Sequence, residues 1–257
     1  AGAAGVMVLA FHTEFSASVG LPEAQLGYLA RFAGNCSEVH VLVEAPAPRS
    51  LCGSLPRPRR RPPARFPVHR HCVPQGAGGA SGRHAVLVNW AMRNIVAKRP
   101  EGSGSFLLLD GDVVLVHDVD LSVLVSDGKW TCLPQERELP ESRKILRYCW
   151  PGLLSLSPEI ANPLELDFQP RAHTDTGGRI SWVLDRHPPQ MFESCDLDAD
   201  PQIAPAVKAV RKRLPEARAE CLGLHGTPMF WHLGSMTSTW RYNATFVADA
   251  VRKLTLD

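Results

Sequence analysis

The chain has 257 residues, 44% of them hydrophobic and 21% charged, with a formal net charge of +2. That balance belongs to a globular protein with enough chain for a full core, in one large domain or two small ones. The small net charge argues against nucleic acid as a partner, and no apolar run reaches the roughly 18 residues that a membrane span needs.

The apolar run 6–11 predicts a first buried strand with a polar end at His12, Thr13 and Glu14. Residues 22–33 place Ala24, Leu26, Leu29, Ala30 and Phe32 at helical spacing behind Pro22, with Gly34 and Asn35 to end the helix. A second strand is predicted over 39–43, closed by Glu44. Strand, helix, strand in so short a span is a βαβ opening and implies a parallel sheet with crossovers. Residues 45–67 are rich in proline and carry Arg57, Arg59, Arg60, Arg61 and Arg65. Such a segment cannot pack as core and reads as a surface loop, solvated or in contact with an anion. Residues 66–73 predict an edge strand, because Pro67 lacks an amide donor. Residues 84–98 predict an amphipathic helix with Val86, Leu87, Trp90, Ala91, Ile95 and Val96 on one face.

The apolar run 106–109 then stops at Asp110-Gly111-Asp112, and a second run, 113–116, follows at once. Four large apolar residues in a row fit a strand buried on both faces. Two carboxylates at its end do not belong in a core, because burying unpaired charge is costly. They suit a divalent cation bound to phosphate, held by Asp112 and by Asp110 directly or through water, with Gly111 turning the backbone and admitting a ligand. The competing reading is a polar Asp-Gly turn between two strands of a hairpin.

Further on, 119–125 predicts a short helix or loop. Apolar segments 130–133 and 145–150 bracket a charged stretch, and a strand over 153–157 is stopped by Pro158. Asp175 or Thr176 stands at an N-cap position, before a helix whose apolar face is Ile180, Val183 and Leu184. A basic amphipathic helix over 204–213, strands over 221–224 and 228–233 and a helix over 243–254 complete the chain. The seven cysteines show no Cys-x-x-Cys spacing, which argues against structural zinc and favours reduced thiols in a cytoplasmic compartment. Asn35-Cys36-Ser37 and Asn243-Ala244-Thr245 match the glycosylation acceptor pattern and point the other way, to an ER or Golgi lumen, had an N-terminal anchor been removed.

Together these features resemble nucleotide-sugar glycosyltransferases of the GT-A fold. The likeness is carried by the βαβ opening, the buried strand ending in Asp110-Gly111-Asp112, a strand ending in Leu156-Ser157-Pro158, an acidic residue before a helix, and the late Trp231-His232-Leu233-Gly234. It implies a Rossmann-like α/β fold with a mostly parallel central sheet. It implies a single catalytic domain over 1–257, with a nucleotide-binding half, 1–112, and an acceptor-binding half, 113–257. The activity implied is transfer of a hexose from a UDP- or GDP-sugar to a glycan, protein or small-molecule hydroxyl. Mn2+ or Mg2+ would be held by Asp110, Asp112 and His232, with His225 a weaker competitor. Phe11, His12, Thr13, Glu14, Asp110 and Gly111 would hold the nucleotide. Inversion requires a base for the acceptor hydroxyl, and Asp175 matches that position, with His173 as another choice and Gly177 and Gly178 leaving room for the acceptor. A retaining enzyme would use the same metal site with no dedicated base. Trp231 and Trp240 would stack on sugar rings, whereas Trp90 belongs to the core. Two other classes share parts of this pattern. A sugar-phosphate nucleotidyltransferase would want a Gly-rich basic loop after the first strand, which residues 11–16 do not offer. A non-catalytic sugar-nucleotide-binding protein would keep the fold alone.

Overall fold

The computed structural model describes residues 5–45, 65–100, 104–125, 129–140, 142–171, 173–195 and 220–233. The helices expected over 204–213 and 243–254, the arginines 57–61, Gly234, Trp240 and Asn243 lie outside these residues. The strands are β1 (Val6–His12), β2 (Ala33–Gly34), β3 (Cys36–Ala45), β4 (Val68–Pro74), β5 (Phe106–Asp110), β6 (Val113–Leu115) and β7 (Val119–Asp120). They continue with β8 (Thr131–Glu138), β9 (Ile145–Leu156), β10 (Gln190–Met191), β11 (Glu193–Cys195), β12 (Glu220–Leu224) and β13 (Thr227–His232). The α-helices are α1 (Glu14–Ser18), α2 (Leu21–Phe32), α3 (Ala80–Asn94) and α4 (Ser181–Arg186).

The frame is a seven-stranded sheet in the order β10-β8-β9-β5-β1-β3-β4. It is mostly parallel: β1 pairs in parallel with β3 and β5, β3 with β4, and β10 with β8, while β9 runs antiparallel between β5 and β8. Every residue of β1 is buried, and the strand's two-residue period divides its side chains between two cores. Val6 and Val8 join Leu26 and Leu29 of α2 on one face. Met7, Leu9 and Phe11 join Leu87, Val88 and Ala91 of α3 on the other. Both faces are therefore covered by helices, which is why the run reads as continuously apolar. β4 is the sheet edge, as Pro67 predicts. Among the described residues no helix is long and apolar enough to cross a membrane.

β5 and β6 are not hairpin partners. β5 lies in the large sheet, whereas β6 pairs antiparallel with β13 in a second sheet of order β11-β12-β13-β6. Asp110-Gly111-Asp112 is thus the corner where the chain leaves one sheet for the other. Asp-Gly is a polar turn joining two strands, but the two are not paired as a hairpin. Another expectation also fails: 145–150 and 153–157 are not separate segments but one strand, β9. Its Pro151 is tolerated because the β8–β9 register shifts between Cys132 and Leu133, so no regular ladder bond is lost there. The charged stretch between the expected segments forms the hairpin linking β8 to β9, in which Glu138 pairs with Ile145.

The expectation of reduced thiols is corrected as well. Cys195 and Cys221 form a disulfide across β11 and β12, where the register sets them opposite each other. Cys72 is also disulfide-bonded, while Cys36, Cys132 and Cys149 are free. Sequence spacing gave no sign of this pair, because the two cysteines are 26 residues apart and meet only when the small sheet forms.

Candidate functional site

A cleft of about 580 Å3 opens at the carboxyl ends of β1, β3 and β5 and above the start of α3. Ligands of open α/β sheets bind at that end of the strands. Phe11, His12, Thr13, Glu14, Asp110, Asp112, Asp175 and His232 all line it. Residues more than 200 positions apart in sequence therefore meet here, through the order of the strands.

The floor of the cleft is a buried polar brace. Gln25 of α2 donates through Nε2 to the carbonyls of Asp110 and Val113, both at 2.7 Å, and its Oε1 lies 3.0 Å from His12 Nε2. One side chain thus ties β1 to both ends of the Asp-Gly-Asp corner. His12 Nδ1 lies 3.4 Å from Ser16 Oγ. Burial lowers the His12 pKa to about 4, so the imidazole is neutral. His12, expected to help hold a nucleotide, lines the cleft, and both its ring nitrogens face protein partners through which it positions the corner. Gly111, expected to turn the backbone and admit a ligand, stands against the same ring: a β-carbon there would strike His12 and approach the Phe11 carbonyl at 2.9 Å. The missing side chain makes room for the brace.

Asp112 is 3% exposed. Its Oδ1 faces His232 Nε2 at 3.8 Å, beyond hydrogen-bond length. The register delivers this pair: His232 stands opposite Val113, and the Leu233 amide donates to the Asp112 carbonyl at 2.8 Å. Burial pushes the Asp112 carboxyl above its ordinary value, His232 pulls it down, and Asp110 adds to the rise. Asp110 itself turns to the other side, where its Oδ1 lies 2.8 Å from His84 Nε2. Burial alone would lower the His84 pKa; Asp110, then Asp175 and Asp112, outweigh it and hold it above its ordinary value. Asp110, Asp112 and His232 therefore do not form one compact donor set. Asp110, expected to reach the metal directly or through water, lines the same cleft with its carboxylate beside His84.

Whether a divalent cation suits the remaining pair can be judged from Asp112 and His232. A buried carboxylate faces an imidazole nitrogen across a gap too wide for a shared proton, and His232 Nδ1 is itself buried without a hydrogen-bond partner. Asp112 Oδ1 and His232 Nε2 are thus two potential donors, an oxygen and an imidazole nitrogen, on the wall of the same cleft.

Across the cleft, Asp175 does not cap a helix. It precedes a single 3-10 turn, Gly178–Ile180, whose N-cap is Gly177, and α4 follows. Its carboxylate accepts from the Thr176 amide at 2.8 Å, and its own amide donates to Tyr148 Oη at 3.3 Å. Tyr148 in turn donates to Gln135 Oε1 at 2.8 Å. Thr176 Oγ1 donates to the Ser81 carbonyl at 2.9 Å, pinning the segment to the start of α3. Gly177 and Gly178 do not open space for an acceptor: β-carbons there would strike the Cys149 carbonyl and Thr174 Oγ1. His173 is exposed and does not line the cleft, and His225 sits in the β12–β13 hairpin turn. Trp231 is 2% exposed and belongs to the core, so it offers no stacking face.

The aromatic face comes from Trp150, whose ring folds over Gly152 and lies 4.9 Å from the His232 ring between centroids. Trp150, His84, Gln135, the ion-paired Arg83 and Glu44 (3.4 Å), and Glu220 line the cleft and were not anticipated. A signal existed for His84 alone, a histidine in the first turns of a crossover helix, whose start must lie at the carboxyl end of a parallel sheet. No protein-family model and no curated protein sequence matches this chain.

Proposed function

We propose that the cleft belongs to a metal-dependent glycosyltransferase of the GT-A kind, moving a sugar from a UDP- or GDP-sugar to a hydroxyl acceptor with inversion. The observation that carries this reading is the sheet-to-sheet corner that sets buried Asp112 against His232, with Asp175 on the opposite wall of the same cleft. The order of strands, with the antiparallel β9 beside β5, is in keeping with it.

Asp112 and His232 would hold Mn2+ or Mg2+, with Asp110 and His84 beside them. A bound cation offsets the negative charge that grows on the departing nucleoside diphosphate. His84, with its pKa raised, adds a proton donor near the same phosphates. Thr13 and Glu14, at the end of β1, face the nucleoside, while Trp150 offers its ring to the sugar. Asp175 takes the acceptor's hydroxyl proton as the new C1–O bond forms and the bond from C1 to the phosphate oxygen breaks. Tyr148 and Thr176 hold the backbone on either side of Asp175, which fixes where that proton goes.

Incubation of the full chain with UDP- and GDP-sugars plus Mn2+ tests the reading. Slow release of nucleoside diphosphate that needs the metal and is lost in Asp112→Asn is the expected result. Pyrophosphate made from a sugar phosphate and a nucleoside triphosphate would assign the cleft to nucleotidyl transfer. No nucleotide affinity with metal present would end the enzymatic reading.

A further inference from the structure

A second group of metal-ligating side chains lies at the opposite end of the sheet. β3 and β4 pair in parallel with His40 opposite His69 and Leu42 opposite His71. The two-residue period then puts Glu38, His40, His69 and His71 on one face of neighbouring strands. This is the α3 face, where Leu42 and Val73 continue the same rows into the core. Glu38 and His40 lie six and four residues before Glu44, so about 13–20 Å from the cleft at a strand rise of 3.3 Å per residue.

The polar atoms converge. Glu38 Oε2 lies 3.1 Å from His40 Nε2 and 3.5 Å from His69 Nε2. All the ligand atoms of Glu38, His40 and His69 are within 4.8 Å of one another, and among the described residues no other trio of such donors is so compact. A tetrahedral zinc ion with bonds near 2.0–2.1 Å needs donors about 3.3–3.5 Å apart. The Glu38–His69 pair meets that spacing at 3.5 Å, and the Glu38–His40 pair, at 3.1 Å, has to open slightly. The third closes by rotation of His69, whose side chain is 48% exposed and stacks on the His40 ring at 4.7 Å.

The surroundings also favour a metal. His40 Nε2 donates to Glu38 Oε2 at 3.1 Å; with an ion in that place, His40 would donate from Nδ1 to His71 Nε2, 2.9 Å away, and offer its Nε2 lone pair. Arg99 Nη2 holds the other oxygen of Glu38 at 3.4 Å and leaves Oε2 directed at the imidazoles. The rings of His40 and His71 stack at 5.2 Å, and His71 abuts Trp90 at 5.7 Å, which fixes the supporting ring. A purely structural hydrogen-bond chain would not require a second imidazole on the same carboxylate oxygen.

We infer that Glu38 Oε2, His40 Nε2 and His69 Nε2 form a zinc-class site at the edge of the sheet, with a fourth position open to water. The ion clips edge strand β4 to β3. This site is independent of the glycosyltransferase reading.

Zn2+ titrated into the full chain, read by calorimetry and by the visible spectrum of the Co2+ form, tests it. Expected is one site with the Co2+ spectrum of tetrahedral nitrogen and oxygen ligation. It should be retained in Asp112→Asn, lost in His69→Ala, and weakened on the order of 10–100-fold in His71→Gln, which removes only the orienting partner. His69 is half-exposed, so its loss leaves the fold in place to be measured. Zinc affinity equal to wild type in His69→Ala, or lost in Asp112→Asn alone, would overturn the assignment.

Discussion

The two ends of the large sheet gather polar side chains by different routes. At the start of the strands, Glu38, His40, His69 and His71 come from two neighbouring strands, and a single parallel register is enough to align them. At the carboxyl end, Asp112, His232, His84 and Asp175 come from four separate segments, and only the complete fold brings them together. The first group is half open to water and carries its own internal partners. The second buries a carboxylate against a histidine at 3.8 Å, an arrangement that is poor in hydrogen bonds. One group depends on register, the other on the corner between two sheets and on the Gln25 brace that holds it.

The largest expected effect tests whether the corner is functional. Asp112→Asn should lower metal-dependent turnover of the sugar nucleotide by about two to three orders of magnitude, as removal of a key charge-stabilising group does elsewhere. In the metal-free protein the same change should leave the melting temperature equal or higher, because it removes a buried, uncompensated charge. Turnover equal to wild type would reduce the corner to architecture.

The brace should appear next, in the pH dependence of stability without metal. The His12 pKa falls from 6.5 unfolded to about 4 folded. Between those values the unfolded chain binds the extra proton, so stability rises with pH across that window. The contribution is fully present above about 6.5 and lost toward pH 4; at full size it is on the order of 3 kcal/mol. Urea midpoints measured from pH 4 to 7 should show this slope in the wild type and a flatter one in His12→Gln.

Gly111→Ala should be milder. Its β-carbon meets the His12 ring, so overpacking of about 1–3 kcal/mol is expected, seen as a lower urea midpoint with unchanged slope. A neutral result would mean that His12 has room to move and that the brace is loose. The smallest effect belongs to the far end of the sheet. Without zinc, His69→Ala should change stability by less than about 0.5 kcal/mol, because the side chain is nearly half exposed. A larger loss would mean that the imidazole cluster holds the edge strand without a metal.

Much of the frame was legible because it is local. The unbroken apolar run of β1 announces a strand buried on both faces, and the spacing of Leu26 and Leu29, or of Leu87, Val88 and Ala91, announces the helices that cover it. Pro67 marks the edge. The place of Asp112 was also legible, since an acidic residue ending a buried strand is seldom part of the core, whereas Asp175 and His232, which line the same cleft, were pointed to by the resemblance. Residues whose role depends on a distant neighbour were only partly legible. Nothing near His12 in the chain announces that Gln25 faces it from α2. Nor does the sequence tell which atoms stand beside Gly111 and Gly178. Trp231 and Trp150 cannot be told apart by type, yet one is buried in the small sheet and the other lies in the cleft.

The sequence by itself determined the parallel α/β frame, its two-sided core and the carboxylates at its rim, because hydrophobic periodicity acts within a few residues. Only the tertiary structure decided which donors face each other: His232 with Asp112, Asp110 with His84, and His40 with His69. Those pairings follow from the β6–β13 and β3–β4 registers and from the start of α3, set by packing between segments far apart in the chain.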